Sequence, residues 1–197
     1  MVETPGERGS DNTIRALDGA LYPLPDYRFC PKCGGGLAIK SDGDVRRPIC
    51  QDCGFVYYVN PSPAVGGVLV ESGKVLLVER AIEPYLGDWC LPAGFMEYGE
   101  RPQDTLAREI AEETALVLEG PPVMLDVKTG TDDPRTHALF IVYWVDGWSG
   151  DLKAGDDASD ARWFDLRSPP ANVAFTAHRE VLNEIRSGVY AHVYSGC

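Results

Sequence analysis

Three glutamates, Glu109, Glu112 and Glu113, stand at i, i+3 and i+4 in a segment that favours a helix. That spacing gathers carboxylates on one side of a helix. Stability does not choose it, because like charges three and four residues apart repel and the C-terminal half of a helix disfavours anions through its dipole. Convergent carboxylates suit hard cations such as Mg²⁺, which take oxygen ligands. From spacing alone, a solvated acidic face is the competing reading. Two further residues weigh against it. Glu100 adds a fourth acid, and Arg108 adds a planar, always-charged guanidinium suited to a site so rich in carboxylates.

The second chemical constellation is Cys30-Pro31-Lys32-Cys33-Gly34 with Cys50-Gln51-Asp52-Cys53-Gly54. Two Cys-x-x-Cys pairs sixteen residues apart have the spacing of a zinc ribbon, in which four thiolates close a tetrahedral Zn²⁺ site. A closed site leaves no position for substrate, so this metal is expected to be structural. A redox Cys-x-x-Cys is the alternative, and the shared spacing favours one common ion.

These groups need elements to hold them. Pro102 to Ala115 has helical periodicity, with Leu106, Ala107, Ile110 and Ala111 expected on the buried side and the glutamates opposite. Before it runs a loop, Trp89 to Glu100, whose glycines permit close backbone approach. Val65–Glu71 and Lys74–Arg80, joined by Ser72-Gly73, read as a hairpin. His137–Val145 is apolar enough for a buried central strand, and Arg162–Leu166 is a shorter one. Thr176 is the expected N-cap of a second helix over 177–187, with Gly188 ending it. Strands and helices in irregular alternation imply an α/β (α+β) layered fold, a mixed sheet sandwiched between helices.

Composition and punctuation divide the chain three ways. Residues 1–26 carry few large apolar groups and read as a mobile tail, 27–60 as the ribbon, and 61–197 as the main domain, with Asn60-Pro61-Ser62-Pro63 as the linker. Six cysteines, four of them in metal spacing, and a start without a basic patch and apolar run imply a reduced, cytoplasmic protein. No apolar run reaches the roughly 18–20 residues that span a bilayer. The net charge is −12, which repels long nucleic acid. From Arg28 to Asn60 five basic residues oppose three acidic ones, and a zinc tetrathiolate brings that module to about zero. A small phosphorylated substrate is compatible with the acidity, because divalent cations bridge carboxylates to phosphate. The ribbon and the strand edges offer surfaces through which a homodimer could form.

Gly94, Glu100, Arg108-Glu109, Ile110, Glu112-Glu113 and Leu116 together resemble the Nudix box, G-x5-E-x7-R-E-U-x-E-E-x-G-U, where U is apolar. One specified position departs: Ala115 stands where the family has Gly, which puts the local helix end in question. The resemblance implies a pyrophosphohydrolase that attacks a nucleoside diphosphate linked to another group. It also implies Glu109, Glu112 and Glu113 as ligands to Mg²⁺ or Mn²⁺, aided by the Ala93 carbonyl. Arg108 and Glu100 become a supporting pair, and Gly94 and Phe95 substrate-binding positions. The resemblance also implies a general base from a later loop or strand, just ahead of an aromatic-rich segment. Asp160, ahead of Ala161-Arg162-Trp163-Phe164, fits that place best, with Asp157 in reserve. His137, His178 and His192 are scattered and read as structural or surface residues, and Trp89 as packing.

A ribbon ahead of a Nudix box is also the arrangement of NADH pyrophosphatases. Their S-Q-P-W-P-F-P-x-S stretch is missing here, where Val117 to Met124 follows the box. Tyr58-Val59-Asn60-Pro61, Leu91-Pro92-Ala93-Gly94 and Val173-Ala174-Phe175 are more similar to ribbon-bearing Nudix proteins related to plant FAD pyrophosphatases. This favours FAD or ADP-ribose over NADH. The alternative from another class is a non-catalytic Nudix-like domain that senses ADP-ribose, which has no need of the three intact glutamates.

Overall fold

The computed structural model describes residues 13–15, 21–23, 26–43 and 45–193. The chain forms two compact units, Met1–Asn60 and Pro61–Cys197. In the first, β1 (Thr13–Arg15) pairs antiparallel with β2 (Leu21–Pro23), inside the segment expected to be a mobile tail. The rest of that tail, up to Pro25, lies outside the described residues. β3 (Leu37–Asp42) and β4 (Val45–Cys50) form a second antiparallel pair. Each cysteine pair sits in a tight turn of the same kind. Gly34 N–H returns to the Cys30 carbonyl (2.9 Å) and Gly54 N–H to the Cys50 carbonyl (3.2 Å). Both glycines take positive φ, 78° and 69°, which explains the glycine after each pair.

The second unit is built on a seven-stranded mixed sheet. Its strands are β5 (Ser62–Glu71), β6 (Lys74–Arg80), β7 (Trp89–Cys90), β8 (Ala93–Phe95), β10 (Val123–Gly130), β11 (Ala138–Val145) and β13 (Ala158–Asp165), and β9 (Val117–Leu118) pairs separately with β12 (Trp148–Ser149). The main path runs β10-β11-β5-β6-β13, with β8 added beside β5 and β7 beside β6. β11 lies parallel to β5, and the neighbours along the path are antiparallel. The expected hairpin is present, with Ser72 and Gly73 both at positive φ, but β5 and β6 pair only at Val70–Val75 and Glu71–Lys74 before diverging. The linker expected over residues 60–63 is shorter than supposed, since β5 already begins at Ser62.

Two helices cover the two faces: α1 (Pro102–Thr114) and α2 (Thr176–Arg186). Alternation along β5 divides the core. Ala64 and Val68 face α2 together with Phe140, Val142, Val181, Leu182 and Ile185, while Val65 and Leu69 face α1 with Leu106, Ile110 and Tyr143. Gly67 admits α1 closely, because a Cβ there would lie 2.9 Å from Ile110 Cδ1. The fold is thus the expected α/β sandwich.

Three expectations about the helices change. Ala107 and Ala111 are exposed, whereas Glu109 and Glu113 lie on the buried side with Leu106 and Ile110. Polarity misassigned the face because the acids turn toward strand backbone instead of water. Thr176 is the first helical residue of α2 and not its cap. Its N–H and hydroxyl both donate to Asp132 Oδ2 (2.7 and 2.9 Å), so the capping oxygen comes from a distant loop. Ala115 ends α1 in the left-handed region at φ 58°, a conformation that costs a residue with a Cβ roughly 1–2 kcal/mol. The far end of α2 behaves as expected. Gly188 at φ 78° closes it, with Gly188 N–H on Ile185 O and Val189 N–H on Glu184 O.

Candidate active site

β8, α1 and a loop before β13 meet at the three glutamates. Glu113 is 4% exposed and its Oε2 accepts the Ala93 N–H at 2.9 Å. Glu109 is 8% exposed, and its carboxyl lies flat against Gly94. A Cβ on Gly94 would fall 2.1 Å from Glu109 Cδ, so this glycine is required by the close approach of an acid. Glu112 stays open to solvent, with 44% of its side chain exposed.

Arg108 ties the group together. Its Nε and Nη2 grip Glu100 at 2.8 and 3.0 Å, Nη1 reaches Glu109 (2.6 Å) and Glu112 (3.1 Å), and Nη2 also donates to the Phe95 carbonyl (3.1 Å). The guanidinium holds the Glu100 carboxyl down at about 2, with help from the Glu97 N–H and the Thr105 hydroxyl. The carboxylates in turn raise the pKa of Arg108. Glu100 and Arg108 are therefore a bidentate pair that anchors the loop on α1.

The deeper acids behave in the opposite way. Burial pushes Glu113 well above the usual carboxylate range, and the neighbouring charge of Asp157 adds to the effect. Burial likewise raises Glu109 against the opposing pull of Arg108. Asp157 reaches this place through backbone bonds that also satisfy the C-terminal carbonyls of α1. Lys153 N–H donates to Thr114 O (3.0 Å) and Gly155 N–H to Glu113 O (3.2 Å). Asp160 is directed elsewhere, ion-paired with Arg162 and accepting from the Ala161 N–H. Of these two acids, Asp157 in the loop and Asp160 on β13, the one whose charge acts on both Glu109 and Glu113 is Asp157.

The donor chemistry fits a hard divalent cation: oxygen ligands only, two of them desolvated, and a guanidinium nitrogen lying between Glu109 and Glu112. Ala93 uses its N–H for Glu113. Gly67 N–H donates to Pro92 O and Met96 N–H to Pro63 O. In the alternating antiparallel pattern these bonds leave the Ala93 backbone facing away from β5. The cysteine quartet fits zinc more directly. Its four Sγ atoms lie within 4.8 Å of one another, with Cys30–Cys53 at 3.8 Å and Cys33–Cys50 at 3.5 Å. Zn–S bonds of about 2.3 Å in a tetrahedron set sulfurs about 3.8 Å apart. Backbone N–H groups of Cys53 and Asp52 favour the thiolate of Cys50, drawing it down to about 7. This quartet is the structural zinc site of the ribbon.

Beside the carboxylates opens a pocket that sequence reasoning did not find. Gly94, Phe95, Phe140, Phe175, Asp132 and His178 are among the residues that line it. Gly66 makes room for the Phe140 ring, since a Cβ there would lie 2.5 Å from Phe140 Cζ. His178, expected to be structural or superficial, is buried here and held neutral, its pKa pushed down to about 3 by burial. Trp89 is core, as expected, packed edge-on against Phe164 with ring centroids 4.6 Å apart.

Comparison with known proteins agrees with this geometry. The NUDIX domain family matches residues 60–185, and the family described as Nudix N-terminal, a zinc ribbon, matches residues 28–59. An ADP-ribose pyrophosphatase of Methanocaldococcus jannaschii is 41% identical over 127 residues, 64% of this chain and 74% of that one. The NAD-capped RNA hydrolase NudC of Chromobacterium violaceum is 32% identical over 73% of this chain, which spans only 52% of that protein. Among solved structures, a NUDIX hydrolase from Nitrosomonas europaea matches with TM-score 0.67 and 30% identity over 82% of this chain and 94% of its own. The NUDIX domain of Shewanella oneidensis NrtR, complexed with ADP ribose, matches with TM-score 0.56 and 26% identity over 67% of this chain and 90% of its own. No helix among the described residues is long and apolar enough to cross a membrane. With its box acids arrayed on α1 against β8 and a cysteine ribbon ahead of them, the chain belongs to the Nudix family and is a Nudix hydrolase whose catalysis uses Mg²⁺ or Mn²⁺.

Proposed function

We propose that this chain hydrolyses the diphosphate of an ADP-linked compound, ADP-ribose before FAD and both before NADH, to AMP and a phosphorylated product. The observation that carries the reading is the burial of Glu109 and Glu113 one turn apart on α1. Two desolvated acids side by side are costly unless a cation joins them. The 41% identity to an ADP-ribose pyrophosphatase supports the choice of ADP-ribose.

In this reading Glu109, Glu112 and Glu113 hold the divalent cation, with the Ala93 carbonyl beside them. When bound, the cation supplies neutralising charge at the phosphate oxygens and makes water more acidic. Arg108 and Glu100 keep the glutamates in place. The carboxylate of Asp157, in preference to Asp160, accepts the proton of the attacking water. The water oxygen bonds to phosphorus, the bridging P–O bond breaks, and the departing phosphate leaves with its electron pair. We further propose a cytoplasmic protein, divided at residues 26 and 60 into tail, ribbon and hydrolase domain, that acts on small nucleotide-derived substrates and pairs as a homodimer.

The test is a panel of ADP-ribose, FAD, NADH and diadenosine polyphosphates assayed with Mg²⁺ and with Mn²⁺. AMP release from at least one compound is expected, with a drop of about a thousandfold or more in Glu113→Gln at unchanged melting temperature. Unchanged turnover in that variant overturns the proposal.

A further inference from the structure

Beyond the carboxylates, the pocket contains one acid that α2 satisfies only in part. Asp132 Oδ2 accepts from the Thr176 N–H and hydroxyl, whereas Asp132 Oδ1 is buried and no described residue donates to it. A buried acceptor without a donor keeps its full desolvation penalty, so this oxygen calls for a ligand. His178 lines the same pocket. Its Nδ1 accepts the Leu91 N–H at 3.2 Å, which places the ring proton on Nε2. The imidazole stacks on Phe140, with centroids 4.4 Å apart and planes 11° from parallel, and leans on Phe175 at 5.5 Å. Ala64 and Ala138 extend the apolar lining. The pocket thus offers aromatic and aliphatic walls, one unpaired acceptor and one donor of fixed tautomer, beside the charged groups of Arg80, which bonds the Pro84 carbonyl, and of the ion pair Asp133–Arg135.

Resting on the reading that the substrate is a nucleoside diphosphate linked to another group, we infer that this pocket receives the nucleobase, and that Asp132 and His178 select adenine over hypoxanthine and guanine. Adenine presents an exocyclic amino donor next to a ring-nitrogen acceptor. The amino group donates to Asp132 Oδ1, and the ring nitrogen accepts from His178 Nε2–H. Hypoxanthine and guanine put a carbonyl oxygen where adenine has its amino group, so two acceptors would face each other with neither paired.

Asp132→Asn is the discriminating variant. Its carboxamide oxygen keeps the bonds to Thr176, and its nitrogen turns a donor toward the pocket, which suits a base carbonyl. In the wild type, kcat/KM for ADP-ribose should exceed that for the hypoxanthine analogue by about tenfold or more, and AMP should bind more tightly than IMP by a similar factor in calorimetry. In Asp132→Asn both ratios should fall toward one or reverse, with little change in melting temperature. The binding arm needs no turnover. A wild type that hydrolyses no ADP-linked compound overturns the hydrolase reading, while equal affinity for AMP and IMP overturns this one. A base ratio unmoved by Asp132→Asn, with an altered preference between ADP-ribose and ADP-glucose, assigns the pocket to the sugar and also overturns it. Should the variant not fold, the wild type decides the matter with purine ribonucleoside 5′-monophosphate, which lacks the amino group. It should bind about tenfold more weakly than AMP, and equal binding overturns the inference.

Discussion

The carboxyl group of Glu109 rests on the Cα of Gly94, so close that a methyl there would lie 2.1 Å from its Cδ and Oε1. The glycine of the loop and the acid of the helix are complementary surfaces, and each explains the other's residue type.

Gly94→Ala should therefore displace Glu109 without dismantling the sheet. A loss of turnover of about a hundredfold or more is expected, with a melting temperature only a few degrees lower. Metal titration by calorimetry should show weakened Mn²⁺ binding. Near-normal activity in this variant would mean that Glu109 does not need its present position.

Ala115 holds a left-handed conformation that glycine adopts freely. Ala115→Gly should raise stability by about 0.5–1 kcal/mol, after the opposing gain in unfolded-chain entropy is taken into account. Turnover should not change, because the residue lies past the last of the carboxylates. Urea unfolding of the two proteins side by side measures the difference, and a destabilised glycine variant would contradict the strain argument.

His178 should give the stability curve an acid limb. In the unfolded chain the imidazole titrates near its ordinary 6.5, and in the folded protein near about 3. Between those values the unfolded chain binds more protons, so stability rises with pH and is lost as pH falls from about 6.5, by up to about 1.4 kcal/mol per pH unit. Glu109 and Glu113, whose folded values are raised, act in the opposite sense. The difference between wild type and His178→Gln, followed by urea unfolding from pH 7.5 to 4.5, isolates the histidine. Parallel curves for the two proteins would rule its contribution out.

About one zinc should be found per chain after exhaustive dialysis, and Cys30→Ser with Cys33→Ser should abolish it. Chelation should remove the structure of residues 26–59 as seen by amide exchange, since the β3–β4 pair has little core of its own. Metal analysis showing no zinc in the purified protein would refute the ribbon.

The reach of the sequence depended on which interactions are local. Arg108 and the three glutamates were legible because helical spacing alone brings them together, Glu100 because it stands just ahead of that helix, and the quartet because each half closes its own turn. The buried face of α1 was misread at Ala107 and Glu109, since a polarity pattern cannot show that the backbone of β8 waits beneath the acids. β10 was missed: Val123–Gly130 leaves several apolar side chains exposed and lacks a clean two-residue alternation. The sequence placed Asp160 ahead of Asp157, and the bonds that bring the loop of Asp157 to the end of α1 run between distant backbone groups that no local pattern carries. The pocket was invisible for the same reason. Asp132, Phe140 and His178 come from three separate stretches that only the sheet brings together.

Pairing of β11 alongside β5 closes a loop that contains the whole box, for Ala138 lies against Ser62 and Val145 against Leu69. Closing so long a loop is slow, because its entropy must be lost before the contacts form. The groove that the box helix faces is therefore complete only once that distant strand has docked.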